Sequence, residues 1–267
     1  MFFGKSGDCM VIRTFRRCEN KYLVTEDKKN ELLKRFEPLT RPDAYCIGGK
    51  TYSIYNIYYD TPDDQLIRNS ISKPPYKEKL RLRSYYPVLK DDDELFLEVK
   101  KKVRGIVSKR RIVLTKRQAE EFLKDGIKPE LKDVQAMQVL REIEYMKKIY
   151  DLRPAVYISY DRIALYANDD DGIRITFDQN VLTRRYDLDF DSGPHGEPLL
   201  KDGYYIMEIK CGGSYPFWLV KILGDCEVHP RGYSKYGKEY VKHCKEEALL
   251  KWLTFLLKSW MAPMRRD

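Results

Sequence analysis

The stretch Lys79-Leu80-Arg81-Leu82-Arg83, followed by Glu98-Val99-Lys100-Lys101-Lys102 and then Lys109-Arg110-Arg111, decides how the chain is read. Successive side chains of a strand point to opposite faces, so Lys79, Arg81 and Arg83 share one face and Leu80 and Leu82 the other. Leu95, Leu97 and Val99 oppose Glu98, Lys100 and Lys102 in the same way, and Lys109 with Arg111 repeats the pattern in a third segment. An ordinary antiparallel sheet also has one wet face. Such faces mix Thr, Ser, Glu and Lys, whereas here the polar positions are nearly all Lys or Arg. Two like charges about 4 Å apart repel by roughly 4 kcal/mol at an effective dielectric near 20. Crowding of this kind predicts a polyanion or a metal-bound phosphate among the side chains.

Outward from that stretch the same parity recurs. Residues 15–24 predict a first strand with Arg17, Glu19 and Lys21 on one face and Cys18, Asn20 and Tyr22 on the other. Thr25-Glu26-Asp27 supplies an N-cap and an acidic first turn for a helix through Leu32, Leu33 and Phe36 that stops at Pro38. A strand over 52–60 runs into a turn or helix start at Thr61-Pro62-Asp63-Asp64. The three basic strands are joined by an acidic loop at 90–94 and a turn at Gly105. Helices are expected from Thr115 to Gly126 and over 134–149, the latter with Met137, Leu140, Ile143 and Met146 or Lys147 as its core stripe. Strands at 155–162 and 173–178 set Tyr160 beside Arg162, and Arg174 beside Thr176 and Asp178. A loop over 187–202 leads to a strand at 205–210 that puts Glu208 and Lys210 together. A short helix opens at Pro216 and ends at Gly224. A last helix covers about 238–260; its Leu249, Leu250, Trp252, Leu253, Leu256 and Leu257 are too numerous for a fully wet face, Trp252 and Trp260 are expected to pack against the barrel, and Trp218 is expected in the core.

The totals narrow the function classes. The chain has 267 residues and 43% hydrophobic content, with Lys+Arg 50 against Asp+Glu 41 for a net charge of +9. That excess favours an anionic partner without choosing among nucleic acid, membrane and phosphate compounds. Six cysteines show no C-x-x-C spacing, which argues against structural zinc. No apolar leader precedes the first strand and no run nears ~20 apolar residues, so a cytoplasmic protein with reduced thiols is expected. Most Tyr and Phe are expected off the basic parity, which disfavours base stacking and hence nucleic acid.

About eight strands each donate a charged face. If the sheet closes, those faces converge on one axis and the apolar faces turn outward under helices. The expected architecture is therefore α+β: one domain over 1–267, a closed antiparallel eight-stranded β-tunnel with a basic interior, covered by helices.

Nine motifs, in order and with matching parity, carry a resemblance: Glu19-Asn20-Lys21-Tyr22, Tyr58-Tyr59-Asp60-Thr61, Lys79 to Arg83, Glu98-Val99-Lys100, Lys109-Arg110-Arg111, Tyr160-Asp161-Arg162, Arg174 to Asp178, Glu208-Ile209-Lys210 and Ser234-Lys235-Tyr236. The chain resembles the CYTH-like triphosphate tunnel metalloenzyme superfamily, and within it the VTC-type polyphosphate polymerase domain. The resemblance implies a metal-dependent enzyme that transfers the γ-phosphoryl of ATP to a growing polyphosphate or pyrophosphate end with release of ADP. It implies catalytic roles for Lys21, Arg81, Arg83, Lys100, Arg162, Arg174 and Lys235. Lys79, Lys109, Arg111, Tyr160, Lys210 and Ser234 would bind substrate, and Glu208 would hold Mn2+ or Mg2+. Association with a membrane protein belongs to the same expectation; oligomeric state does not follow from it. Glu19 and Glu98 are read as orienting neighbouring cations rather than as metal ligands. The hydrolytic branch begins Glu-x-Glu-x-Lys, whereas Arg17-Cys18-Glu19-Asn20-Lys21 puts a cation at the first carboxylate. Losing a metal-holding carboxylate favours transfer to phosphate over attack by water. A triphosphatase on the same tunnel and a non-catalytic polyphosphate-binding module remain the alternatives.

Overall fold

The computed structural model describes residues 18–104 and 106–260, with side chains through 254. Arg17 and the start of the first strand, the turn at Gly105, Cys9, and the side chain of Trp260 lie outside the described residues.

The strands are β1 (Cys18–Thr25), β2 (Thr40–Pro42), β3 (Tyr52–Asp60), β4 (Tyr76–Ser84), β5 (Glu94–Val103), β6 (Ile106–Thr115), β7 (Arg153–Ala167), β8 (Arg174–Arg184), β9 (Glu197–Pro198) and β10 (Tyr204–Cys211). The helices are α1 (Glu26–Phe36), α2 (Gln65–Ile71), α3 (Lys116–Glu120, continued by a π-turn to Asp125), α4 (Val134–Ile149), α5 (Phe217–Asp225) and α6 (Lys235–Trp260). Local chemistry sets the boundaries. Thr25 Oγ1 accepts from Lys28 N to start α1, Thr115 and Gln118 form a capping box at α3, and Gly126 at φ 76° ends that segment.

All strand pairs are antiparallel, in the order β1-β10-β8-β7-β3-β4-β5-β6, with β2 added to β7 and β9 to β8. The expected closed eight-stranded tunnel is thus corrected: the sheet has ten strands, and no ladder joins β1 to β6 among the described residues. Register shifts at Tyr58/Tyr59 and Ser159/Asp161 increase the twist and curl. The curl brings the concave faces of β1 and β5 together through side chains alone, with Lys100 Nζ 3.4 Å from Glu19.

Two apolar cores lie on the convex side. Leu80, Leu82, Leu95, Leu97, Ile112 and Leu114 pack under Phe122 and, from α4, Leu140, Ile143 and Met146. Tyr22, Phe177, Met207 and Ile209 pack under Leu32 and Phe36 of α1 and Leu219 of α5, with Trp218 edge-on to Phe36 at 6.3 Å. A third core corrects the expectation of a basic interior throughout. Ile54, Val156, Ile158, Val181 and Ile206 point into the concave side, where Ile67 of α2 and Tyr236 of α6 join them. One part of the interior is an apolar plug.

The plug is pinned by polar contacts. The fully buried Asp60 carboxylate accepts from Thr61 N (2.8 Å), Leu66 N (2.7 Å), Ile67 N (2.9 Å) and the Tyr236 hydroxyl (2.7 Å). It therefore ties the first turn of α2 to the first turn of α6. Arg185 makes forked contacts to Asp64 (2.9 and 3.1 Å) and Glu239 (2.7 and 3.0 Å), joining the same two helices. Helix α6 starts earlier than the expected 238, because Ser234 Oγ accepts from Gly237 N at 3.1 Å and caps it. The apolar residues beyond it do not pack on the sheet: Leu249, Leu250, Trp252 and Leu253 are 42–64% exposed. No helix among the described residues is long and apolar enough to cross a membrane.

Removing the Tyr236 hydroxyl leaves a buried carboxylate short of one donor. Tyr236→Phe is expected to lower unfolding free energy by about 1.5–3 kcal/mol, read as a lower urea midpoint at unchanged slope.

Candidate functional site

Beyond the plug, the concave face carries the cations as three groups built on buried carboxylates. Directly opposed residues of an antiparallel pair share a face, so the register Arg81↔Glu98↔Arg111 places these side chains together. Glu98, 1% exposed, lies 2.6 Å from Arg81 Nε, 2.6 Å from Lys109 Nζ and 3.7 Å from Arg83 Nη2. Arg83 also donates to Asn56 Oδ1 (3.1 Å) and Arg81 to the Tyr58 hydroxyl (3.2 Å). The expectation that Glu98 orients basic neighbours is met by these contacts.

The second group lies on β1 and β10. Glu208 contacts Lys21 (3.1 Å) and Lys210 (2.6 Å), while Glu19 contacts Lys21 (3.5 Å) and Lys100 (3.4 Å). In the third, Asp178 receives a forked pair from Arg162 (2.6 and 2.9 Å) and an ion pair from Lys235 at the start of α6. The Lys235 ammonium also sits 4.2 Å from the Tyr160 ring centroid, with the Arg162 guanidinium 5.2 Å away. Arg174 donates to Asp43 and to the Tyr52 hydroxyl, both at 3.0 Å. Lys79 reaches Ser234 Oγ at 3.3 Å, and Arg111 lies 5.0 Å over Phe96.

The candidate site residues named from the sequence thus come together on one concave wall, which Ser234 and Lys235 reach from the start of α6. Lys21, Lys79, Arg81, Arg83, Lys100, Lys109, Arg111, Arg162, Arg174, Lys210 and Lys235 outnumber the carboxylates among them, Glu19, Asp43, Glu98, Asp178 and Glu208, eleven to five. Lys109, not Lys102, contacts Glu98 across the hairpin. Sequence reasoning gave Asp178 its parity but no role, quoted Tyr58 within a motif without assigning it one, and missed Asp43 and Asn56. Most Tyr and Phe are expected off the basic parity, and four aromatics nevertheless share the basic face. Tyr52, Tyr58, Phe96 and Tyr160 all touch the cations.

The electrostatics follow from this crowding. Burial alone would raise the Glu98 pKa, but Arg81, Arg83 and Lys109 hold it far below the carboxylate range. Burial likewise opposes ionisation of Asp178, yet Arg162 and Lys235 bring it down to about 2. Glu208 is held well below its ordinary value by Lys21, Lys210 and Arg162 against the same burial. Lys109 is lowered to about 7, first by desolvation and then by Arg81 and Arg83, with Glu98 opposing. Lys79 is lowered to about 8, again chiefly by desolvation. Tyr160, which burial would raise, is brought down to about 8 by Arg162, Arg83 and Lys235.

No cluster of three or more acidic, His or Cys side chains suited to a metal occurs among the described residues. A hard divalent cation can instead use one or two carboxylates and complete its shell with substrate phosphates and water. Glu208 offers one such carboxylate, and Glu19, read from the sequence only as orienting cations, shares Lys21 with it and can supply the second. Their ion pairs among the described residues are all to lysines, whereas Glu98 and Asp178 are also held by arginines.

The class these features define is an α+β protein whose curled antiparallel sheet gathers cations on its concave side. The sequence model of the VTC domain matches residues 16–243, and the chain belongs to that family. The chain is 26% identical over 270 residues to vacuolar transporter chaperone complex subunit 4 of Schizosaccharomyces pombe, a match covering 84% of this chain and 37% of that protein. It thus spans little more than a third of that relative's length. Among solved structures, a putative adenylate cyclase from Bacillus halodurans aligns with 17% identity and a TM-score of 0.49, covering 81% of this chain and 92% of that one. A putative adenylyl cyclase from Hippeastrum, described as having a dominant triphosphatase activity, aligns with 15% identity and a TM-score of 0.45, covering 82% and 92%.

The pKa directions give a signed pH dependence. Lys79 and Lys109 titrate below the ~10.4 of a free lysine, so an anion that needs them charged must draw protons in above pH 7–8. Tripolyphosphate affinity is expected to fall as pH rises from 6.5 to 9, by up to about tenfold per pH unit for each required proton above its pKa. Calorimetry in two buffers of different ionisation enthalpy should show proton uptake, and Lys109→Arg should flatten the profile because Arg stays charged. Without ligand the sign reverses. The folded state binds fewer protons than the unfolded one between about pH 7 and 10, so these two lysines make stability rise over that window.

Proposed function

We propose that the domain is a polyphosphate polymerase that transfers the γ-phosphoryl of ATP to the end of a polyphosphate or pyrophosphate chain and releases ADP. The observation that carries this reading is the eleven-to-five excess of cations on one concave wall, which suits a guest carrying several negative charges along its length. Membership of the VTC family supports it, as does similarity to a subunit of a vacuolar transporter chaperone complex. The domain is further proposed to work on the cytoplasmic side with a membrane-bound partner.

Phosphoryl transfer depends on alignment and on stabilising charge at the equatorial oxygens. Arg81 and Arg83, fixed by Glu98, Asn56 and Tyr58, present rigid forks for the transferring group. Arg162 and Lys235, fixed on Asp178, act from the β7–β8 side of the wall, and Arg174 and Lys210 extend the cationic track. An oxygen of the terminal phosphate attacks the γ-phosphorus while the bond to the ADP oxygen breaks. The acceptor is already ionised, so no general base is needed. Mn2+ or Mg2+, held by Glu208 with Glu19 and phosphate oxygens, would neutralise charge on the phosphates. Lys21 and Lys210 are point charges on flexible stems and can turn from Glu208 to the substrate.

Incubation with ATP and Mn2+ is expected to yield polymer and ADP, seen on a gel and by product assay. Arg83→Ala and Glu208→Ala are each expected to cut synthesis by about 100-fold or more, while circular dichroism stays unchanged. Orthophosphate released without polymer would assign the wall to a triphosphatase instead. As a binding control, tripolyphosphate at 100 times its dissociation constant should add about 2.7 kcal/mol of stability in a thermal melt.

A further inference from the structure

A row of aromatic rings at one end of the concave face takes no part in the roles above. Tyr45, Tyr52, Tyr85 and Phe96 follow one another at centroid distances of 6.0, 6.2 and 5.6 Å. Tyr45 and Tyr85 are 61% and 39% exposed, so broad ring surface faces water. The row is joined to the cations at two points: Arg174 donates to the Tyr52 hydroxyl at 3.0 Å, and Arg111 lies 5.0 Å over Phe96. It sits where β3 begins and β4 has just finished. Tyr58, stacked on Tyr236 of α6 at 4.8 Å, is six residues further along β3, roughly 20 Å at about 3.3 Å per residue.

A wall of Lys and Arg sees the same phosphate oxygens on ATP and on polyphosphate, so cations alone do not separate donor from product. An aromatic surface beside the wall does, because only the nucleotide carries a base. We propose that the row receives the base of a nucleoside triphosphate whose phosphates occupy the cationic wall, with Arg111 and Arg174 flanking the junction. The proposal rests on the phosphate reading of the wall. Neighbouring tyrosines are tilted by 53–60° at about 6 Å, and a base between two rings needs about 7 Å, two van der Waals layers. The base therefore lies on the exposed faces of Tyr45 and Tyr85 rather than between rings. Stacking of this kind tolerates any base and favours the larger purine surface.

The test compares ATP with inorganic tripolyphosphate by calorimetry, for the native protein and for Tyr45→Ala, Tyr85→Ala and the double variant. Loss of a stacked base corresponds to roughly 5- to 150-fold in affinity. The double variant is expected to weaken ATP within that range while tripolyphosphate stays within about twofold, and Tyr45→Phe with Tyr85→Phe should restore ATP binding. Binding of ATP that follows tripolyphosphate unchanged through all variants overturns this inference and leaves the wall's reading intact. Failure of the native protein to bind tripolyphosphate overturns that reading and this inference with it.

Discussion

The structure depends on how repulsion among crowded cations is contained. Each of the three groups places a buried carboxylate between basic side chains from different strands: Glu98 on β5 between β4 and β6, Glu208 on β10 beside β1, and Asp178 on β8 between β7 and α6. Taking such ions out of water costs several kcal/mol each, and well-packed apolar residues of similar volume serve stability as well or better. Stability alone therefore does not account for them. They make sense as a device that fixes Arg81, Arg83 and Arg162 in position while leaving the wall with more positive than negative charge for a guest to neutralise.

The apolar plug is the counterpart of that wall. Ile54, Ile158 and Ile206 occupy the same concave parity as the cations, so one curled sheet provides both a packed core and a charged cleft. Asp60 and Arg185 hold α2 and α6 over the plug, and the first turn of α6 then delivers Lys235 to Asp178 and Ser234 to Lys79. The plug thus does more than close a space, since its alignment positions part of the site. The strands at the two ends of the sheet order among the described residues, β1 and β6, carry Glu19 and Lys21, and Lys109, Arg110 and Arg111. Charged residues of this kind discourage pairing with a second sheet.

How much of this was legible in the sequence follows from what the period-2 pattern can encode. Parity alone sorted Lys79, Arg81, Arg83, Lys100, Arg162, Arg174 and Lys210 onto one face, and the register bears that out. Closure was not legible, because it depends on bulges such as that at Ser159/Asp161 and on whether the first and last strands come within hydrogen-bonding reach. The plug escaped because an inward Ile and an outward Ile look alike in a strand. Arg184 shows the converse difficulty: as a sequence symbol it is one more cation, but it is 3% exposed and donates to the carbonyls of Asp187, Asp189, Gly193 and His195, organising the 187–196 loop. The apolar run in α6 suggested packing that the helix, projecting past the sheet, does not make.

The chemistry of the clamping cations separates a fixed part of the wall from an adjustable one. A guanidinium stays charged and grips a carboxylate with a planar fork, so Arg162 on Asp178 and Arg81 on Glu98 are rigid supports. Ammonium groups are compact, mobile and more easily discharged, and they alone make ion pairs with Glu208 and Glu19 among the described residues. Under the polymerase proposal, a site that holds a triphosphate in alignment and then accepts a lengthening chain needs both behaviours. The Arg-supported groups suit the first requirement. The second is suited by the carboxylate pair on β1 and β10, whose lysines can exchange a carboxylate for a phosphate without unmaking a strand.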